Sequence, residues 1–202
     1  ITADNPILVP TSWEGLIQNG SDTAAGECDD YHITDIHIKC VNESNTNISN
    51  LTATHGGICK AYFGKEKRDS NNKIERCSFE GIIYDNGGGI LGRSAGSNRG
   101  TLTLNDCFSK GVIRSNAGGI CGSNAGEQAG SVTINNCYSI ANIPQSGVTG
   151  AGGICGSNSG SRGMAIINNC YSISALSSGN GGICGGGTSS LGGNVTIKNC
   201  LY

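Results

Sequence analysis

The chain has 202 residues and a formal net charge of −2, enough for one domain or one modest repeat array. Glycine (34 residues) and cysteine (11 residues) are in excess, whereas charged residues make up 14% and aromatic residues 5%. This excludes a coiled coil, whose Ala, Leu, Glu and Lys runs are missing, and collagen, which needs glycine at every third position. No apolar run approaches the roughly 18 residues of a membrane span, and no basic excess points to nucleic acid.

Residues 1–55 read as an N-terminal cap and entry coil. Ile1 opens a polar stretch, as expected of a processed chain. Thr11-Ser12-Trp13-Glu14 matches a capping box, with Thr11 as N-cap and Glu14 three residues later. It predicts a short helix with Trp13, Leu16 and Ile17 on one face, laid over the first coil to hide its edge. Residues 32–39 alternate polar and apolar and predict one strand. Glycosylation sequons stand at Asn19, Asn42, Asn47, Asn50 and, far along the chain, Asn194. With the cysteine load they point to an extracellular or cell-surface location.

From residue 56 the chain repeats. Gly-Gly-Ile begins at 56, 88, 118, 152 and 181, and the next residue is Cys59, Leu91, Cys121, Cys155 or Cys184. A second landmark follows at Cys77, Cys107, Cys137, Cys170 and Cys200. Short β-branched alternations precede it, such as Thr-Leu-Thr-Leu at 101–104 and Ser-Val-Thr-Ile at 131–134. Such runs cannot be amphipathic helices. Each repeat reads as three short strands, and the five repeats of 56–202 stack as the coils of an all-β parallel β-solenoid. Parity places Cys137, Ser139, Ala141 and Ile143 inside. Asn135-Asn136, Asn168-Asn169 and Lys198-Asn199 fall at corners, where asparagine tolerates left-handed backbone and bonds along a ladder.

Gly-Gly-Ile-Cys-Gly-Ser-Asn at 118–124 and 152–158, with Ile-Asn-Asn-Cys-Tyr-Ser after it, resembles the GLUG repeat of large secreted and surface-anchored microbial proteins. The resemblance spans about residues 56–202 and implies a right-handed parallel β-helix used as a stalk or spacer. It carries over no catalytic residue.

Pairing within each coil joins Cys59 with Cys77, Cys121 with Cys137, Cys155 with Cys170 and Cys184 with Cys200, and the cap joins Cys28 with Cys40. Cys107 remains a free thiol, because its coil carries Leu91 where the others have cysteine. Bridges between neighbouring coils are the alternative, since strand spacing of about 4.8 Å suits a disulfide.

Little catalytic chemistry is visible, and neither a cofactor nor enzymatic activity is expected. Asp69, Glu75 and Glu80 read as a solvated rim rather than the paired carboxylates of a polysaccharide-cleaving enzyme. His32 and His37 have opposite strand parity and make a poor metal pair. The outward column Thr103, Thr133, Ile166 and Thr196 gives thin support for ice binding. The outward column Phe108, Tyr138, Tyr171 and Leu201 is a flat face for a glycan or a second subunit. The favoured expectation is an extracellular structural protein that polymerises head to tail, residues 1–9 completing the last coil of the preceding copy. The alternative is an adhesin or glycan-binding module.

Overall fold

In the computed structural model, residues 6–9, 12–26, 29–40, 50–51, 53–67, 71–144, 147–176 and 178–202 are described. The elements in chain order are β1 (Ile7–Val9), β2 (Ser12–Trp13), β3 (His32–Thr34), β4 (His37–Cys40), β5 (Asn50–Leu51), β6 (Asn72–Glu75) and β7 (Ser78–Ile83). There follow β8 (Thr101–Asn105), β9 (Phe108–Ile113), β10 (Ser131–Asn135), β11 (Tyr138–Asn142), β12 (Met164–Asn168), β13 (Tyr171–Ser172) and β14 (Asn194–Lys198). A three-residue 3-10 turn, Ser190–Gly192, lies before β14.

All strand pairs are parallel. One six-stranded sheet runs β14-β12-β10-β8-β6-β3, one strand per turn of the chain. A second sheet runs β1-β4-β7-β9-β11-β13, with β2 and β5 attached beside β7. The third wall is not a set of strands, as expected from sequence, but two columns of single bridges. Gly56, Gly88, Gly118, Gly152 and Gly181 form one; Ile17, Cys59, Leu91, Cys121, Cys155 and Cys184 form the other. The chain is thus an all-β solenoid of six turns, the five repeats plus the entry coil.

The register stacks like on like. Val132 pairs with Leu102 and Ala165, and Ile134 with Leu104 and Ile167. Burial alternates along β8 and β10, so these residues fill the interior while Thr101, Thr103, Ser131 and Thr133 stand half-buried outside. The core also takes Ile58, Ile90, Ile120 and Ile154 from the glycine wall and Ile83, Ile113 and Ile143 from the end of the second sheet. Burying side chains of this size contributes roughly 1.5–3 kcal/mol each.

Two expectations for the cap are corrected. Ser12 and Trp13 form β2, paired with Asn50 and Leu51 of β5, so no helix starts at the capping box. Thr11 lies outside the described residues. Glu14 Oε2 receives Lys60 Nζ at 3.1 Å instead of reaching back to a cap, and Trp13 Nε1 donates to the Gly57 carbonyl at 2.8 Å. The stacking register claims this backbone, and a local helical signal cannot compete with it. Residues 32–39 are likewise two strands, not one. Asp35 adopts φ 57° and turns the chain from the six-stranded into the second sheet.

Candidate functional site

The corner between the two sheets is the most regular feature of the molecule. Its left-handed residue is Asp35, Arg76, Asp106, Asn136, Asn169 and Asn199 in successive turns, each with φ between 51° and 57°. Two ladders of side chains climb this corner. In the inner one Asn168 Nδ2 donates to Asn135 Oδ1 and Asn135 Nδ2 to Asn105 Oδ1, both at 3.0 Å. Asn105 Nδ2 then donates to Glu75 Oε1 at 2.9 Å, and Glu75 Oε2 lies 2.9 Å from His32 Nε2. In the outer one Asn199 donates to Asn169 at 3.2 Å, Asn169 to Asn136 at 3.3 Å and Asn136 to Asp106 at 3.2 Å. The asparagines therefore work both as turn residues and as rungs. The His32 ring and the Asn105 amide hold the Glu75 carboxyl below the usual carboxylate range.

At the lower end of the corner Arg76 donates twice to Asp35, from Nε at 2.7 Å and Nη2 at 2.8 Å. This fork holds the Asp35 carboxyl down to about 2. A carboxyl depressed in the folded state stabilises above its unfolded value near 3.9 and loses that contribution as pH falls toward 2. The difference in thermal midpoint between the native chain and Asp35→Asn is therefore expected to be full at pH 7 and mostly lost at pH 2. An unchanged difference at both pH values would assign the effect to something other than the ion pair.

The outward aromatic residues do stack as a column, but they do not make a platform. Phe108 and Tyr138 stack with ring centroids 5.0 Å apart and planes 4° apart, and Tyr138 and Tyr171 with 4.9 Å and 2°. Leu201 bridges to Tyr171. The rings cover each other's faces and turn only their edges outward, so they offer no flat face for a sugar. The column Thr103, Thr133, Ile166 and Thr196 is in register, and Lys73 extends it toward the N-terminal coils.

The ten described cysteines are free thiols. The intra-coil pairs expected from sequence are not formed, and Cys107 is no exception among them. In-register stacking sets Cys121, Cys155 and Cys184 beside one another in successive coils and Cys59 beside Leu91, and the Cys107 backbone N–H donates to Cys137 Sγ of the next coil at 3.4 Å. Burial pushes the Cys40 thiol up to about 12 and raises that of Cys59 as well. Cys184 and Cys200 are half-buried and the others buried. Cys28 lies outside the described residues.

Of the sequons, Asn19 is 4% exposed with its amide against Gly26, which removes it as a glycan acceptor in the folded protein. Asn194 is exposed at the start of β14. Asn42 and Asn47 lie outside the described residues, as does the side chain of Asn50. Asp69 lies outside them too, and Glu80 sits between Lys39 at 3.3 Å and Lys110 at 3.8 Å.

Parity placed Ser139 inside; the structure shows what it joins there, and it adds a groove that sequence reasoning passed over. Ser109, Ser139 and Ser172 form a buried serine column, with Ser109 Oγ donating to Ser139 Oγ at 3.1 Å. Its signal was the serine two residues after Cys107, Cys137 and Cys170. A polar groove of about 300 Å³ is lined by Asn86, Arg93, Asn116, Ser123, Asn124 and Asn158, among others. Arg93 Nε is buried there without a hydrogen-bond partner. Among the described residues no three His, Cys, Asp or Glu side chains are grouped to hold a metal ion, and no helix is long and apolar enough to cross a membrane. No protein-family model, curated protein or solved structure matches this sequence.

Proposed function

We propose that the protein is a structural rod of an extracellular surface or fibre, whose copies join end to end. The observation that carries the reading is the unbroken parallel register from β3 to β14, in which, among the described residues, β3 and β14 each pair on one side only. The C-terminal coil presents Leu191, Ile197, Leu201 and Tyr202 exposed. A second copy that lays its entry coil there continues both sheets and covers these side chains. The contact is heterologous, so repetition gives an open filament. Donation of residues 1–9 is not the route, because Ile7–Val9 already pair with β4 of the same molecule; residues 1–5 lie outside the described ones. The exposed Asn194 and the sequons at 42, 47 and 50 suit a glycosylated exterior, and the GLUG-like repeat suits a stalk.

Electron microscopy and sedimentation of the purified protein test this. Rods that lengthen with concentration are expected, and Ile197→Lys, which places a charge on the end face, is expected to give single particles with unchanged circular dichroism. A native protein that stays monomeric at all concentrations defeats the reading. The groove around Arg93 favours a second one, a glycan-binding module, which predicts that same monodisperse monomer together with affinity for a glycan.

A further inference from the structure

Cys77, Cys107, Cys137, Cys170 and Cys200 occupy one position in five consecutive coils. The residues on both sides of them pair in register, Asn105 with Asn135 and Asn168, Phe108 with Tyr138 and Tyr171. Each sulfur leans over the preceding coil. Cys107, Cys170 and Cys200 Sγ donate to the carbonyls of Ile74, Ile134 and Ile167 at 3.6, 3.7 and 3.6 Å, and Cys137 Sγ accepts the Cys107 backbone N–H at 3.4 Å. A second column holds Cys59, Leu91, Cys121, Cys155 and Cys184, joined by successive bridges. In-register neighbours stand about 4.8 Å apart, inside the range of roughly 4.4–6.8 Å between the Cα atoms of a disulfide. A χ1 turn of the earlier cysteine toward the following coil brings the two sulfurs together.

We propose that the two columns are oxidation sites at which a low-molecular-weight disulfide, such as oxidised glutathione, joins consecutive coils. While the coils are still coming together and the thiols are reachable, one cysteine thiolate attacks the glutathione disulfide, forms a mixed disulfide and releases one glutathione thiolate. The thiolate of the column neighbour then attacks the protein sulfur and displaces the second glutathione. Two cysteines are oxidised, one glutathione disulfide is reduced, and the two thiol protons pass to the departing glutathiones. The bonds fall only between neighbours of one column. Leu91 isolates Cys59, which stays reduced, and the odd number in the first column leaves one thiol there at any time. Such bonds tie neighbouring coils in pairs and oppose the peeling of coils from an end, the way a one-dimensional stack comes apart. The same stack, reduced, remains free to peel.

Because most of these thiols are buried once the coils have stacked, the test is to refold the full-length protein from denaturant in the presence of oxidised glutathione and sequence its peptides without reduction. Bonds are expected among Cys77, Cys107, Cys137, Cys170 and Cys200 in neighbouring pairs, and at Cys155 with Cys121 or Cys184. A bond of Cys59 with Cys77, Cys121 with Cys137, Cys155 with Cys170 or Cys184 with Cys200 overturns the proposal, as does a protein that remains fully reduced. Leu91→Cys fills the gap in the second column and is expected to draw Cys59 or Cys121 into a new bond with the introduced thiol. If Cys59 bonds to any cysteine in the unsubstituted protein, the column rule is wrong.

Discussion

Replacing Gly118 with alanine is expected to destabilise the middle of the solenoid by about 3 kcal/mol, the upper end of the range for a forced overpacking. The added Cβ meets the carbonyl oxygen of Cys121 in its own turn and the backbone nitrogen of Gly156 in the next coil. Both are backbone atoms held by hydrogen bonds. Gly118 N donates to the Gly87 carbonyl at 3.1 Å, and Gly156 N to the Cys121 carbonyl at 2.9 Å. No side chain can swing away, so the coils must separate. Gly88 and Gly152 meet the same pair of obstacles in their own coils, which is why the wall is built of glycine. In a stack whose units touch only their neighbours, the damage divides the rod there. Equilibrium urea unfolding measures it, and hydrogen exchange is expected to show lost protection at Gly119, Ile120 and Cys121. A cost below about 1 kcal/mol would mean that the wall yields without strain.

Phe79→Ala is the second large effect, expected to cost about 3–5 kcal/mol. The Phe79 ring is wholly buried, against Gly57 on one side and Gly81 on another. Its column neighbours are Ile38 before it and Ser109 after it, so the coil widens at this point from a serine-lined interior to an aromatic one. Neither Gly57 nor Gly81 has a side chain to fill the cavity, and Ser109 is occupied with Ser139. The loss falls at the junction between the entry coil and the repeats. The N-terminal coil is therefore expected to melt before the rest, turning one thermal transition into two. Phe79→Leu, which keeps most of the volume, is expected to restore the single transition.

Where a position recurs, the sequence exposed its role. Asn135 and Asn136 could be placed at a corner, and Cys137, Ser139 and Ala141 inside, because five aligned copies turn a weak local preference into a pattern. Within the entry coil there was one copy, and local signals prevailed. Thr11 to Glu14 satisfies the chemistry of a helix start, yet Ser12 and Trp13 pair with residues almost forty positions away. A long-range partner leaves no trace in a four-residue motif. The bend at Asp35 was within reach. Ile33-Thr34-Asp35-Ile36-His37 matches Ile134-Asn135-Asn136-Cys137-Tyr138, with an aspartate in place of the asparagine at the left-handed position. The cysteines show a different effect of stacking. Their odd count matched a missing partner at Leu91, but stacking places like beside like, and it pairs Leu91 with Cys59 and Cys121.

The asparagine ladders also make the rod an electrical object. In both, every bonded amide N–H points toward the N-terminal coils and every amide carbonyl away from them. The amide dipoles add along the axis and polarise one another. Each series closes on an anion, Glu75 or Asp106, placed at its positive end. The two ends of each ladder thus differ in chemistry, a carboxylate at one and an amide at the other. Reversing a single rung would set two like amide groups face to face, so the ladder fixes one orientation for every asparagine it contains.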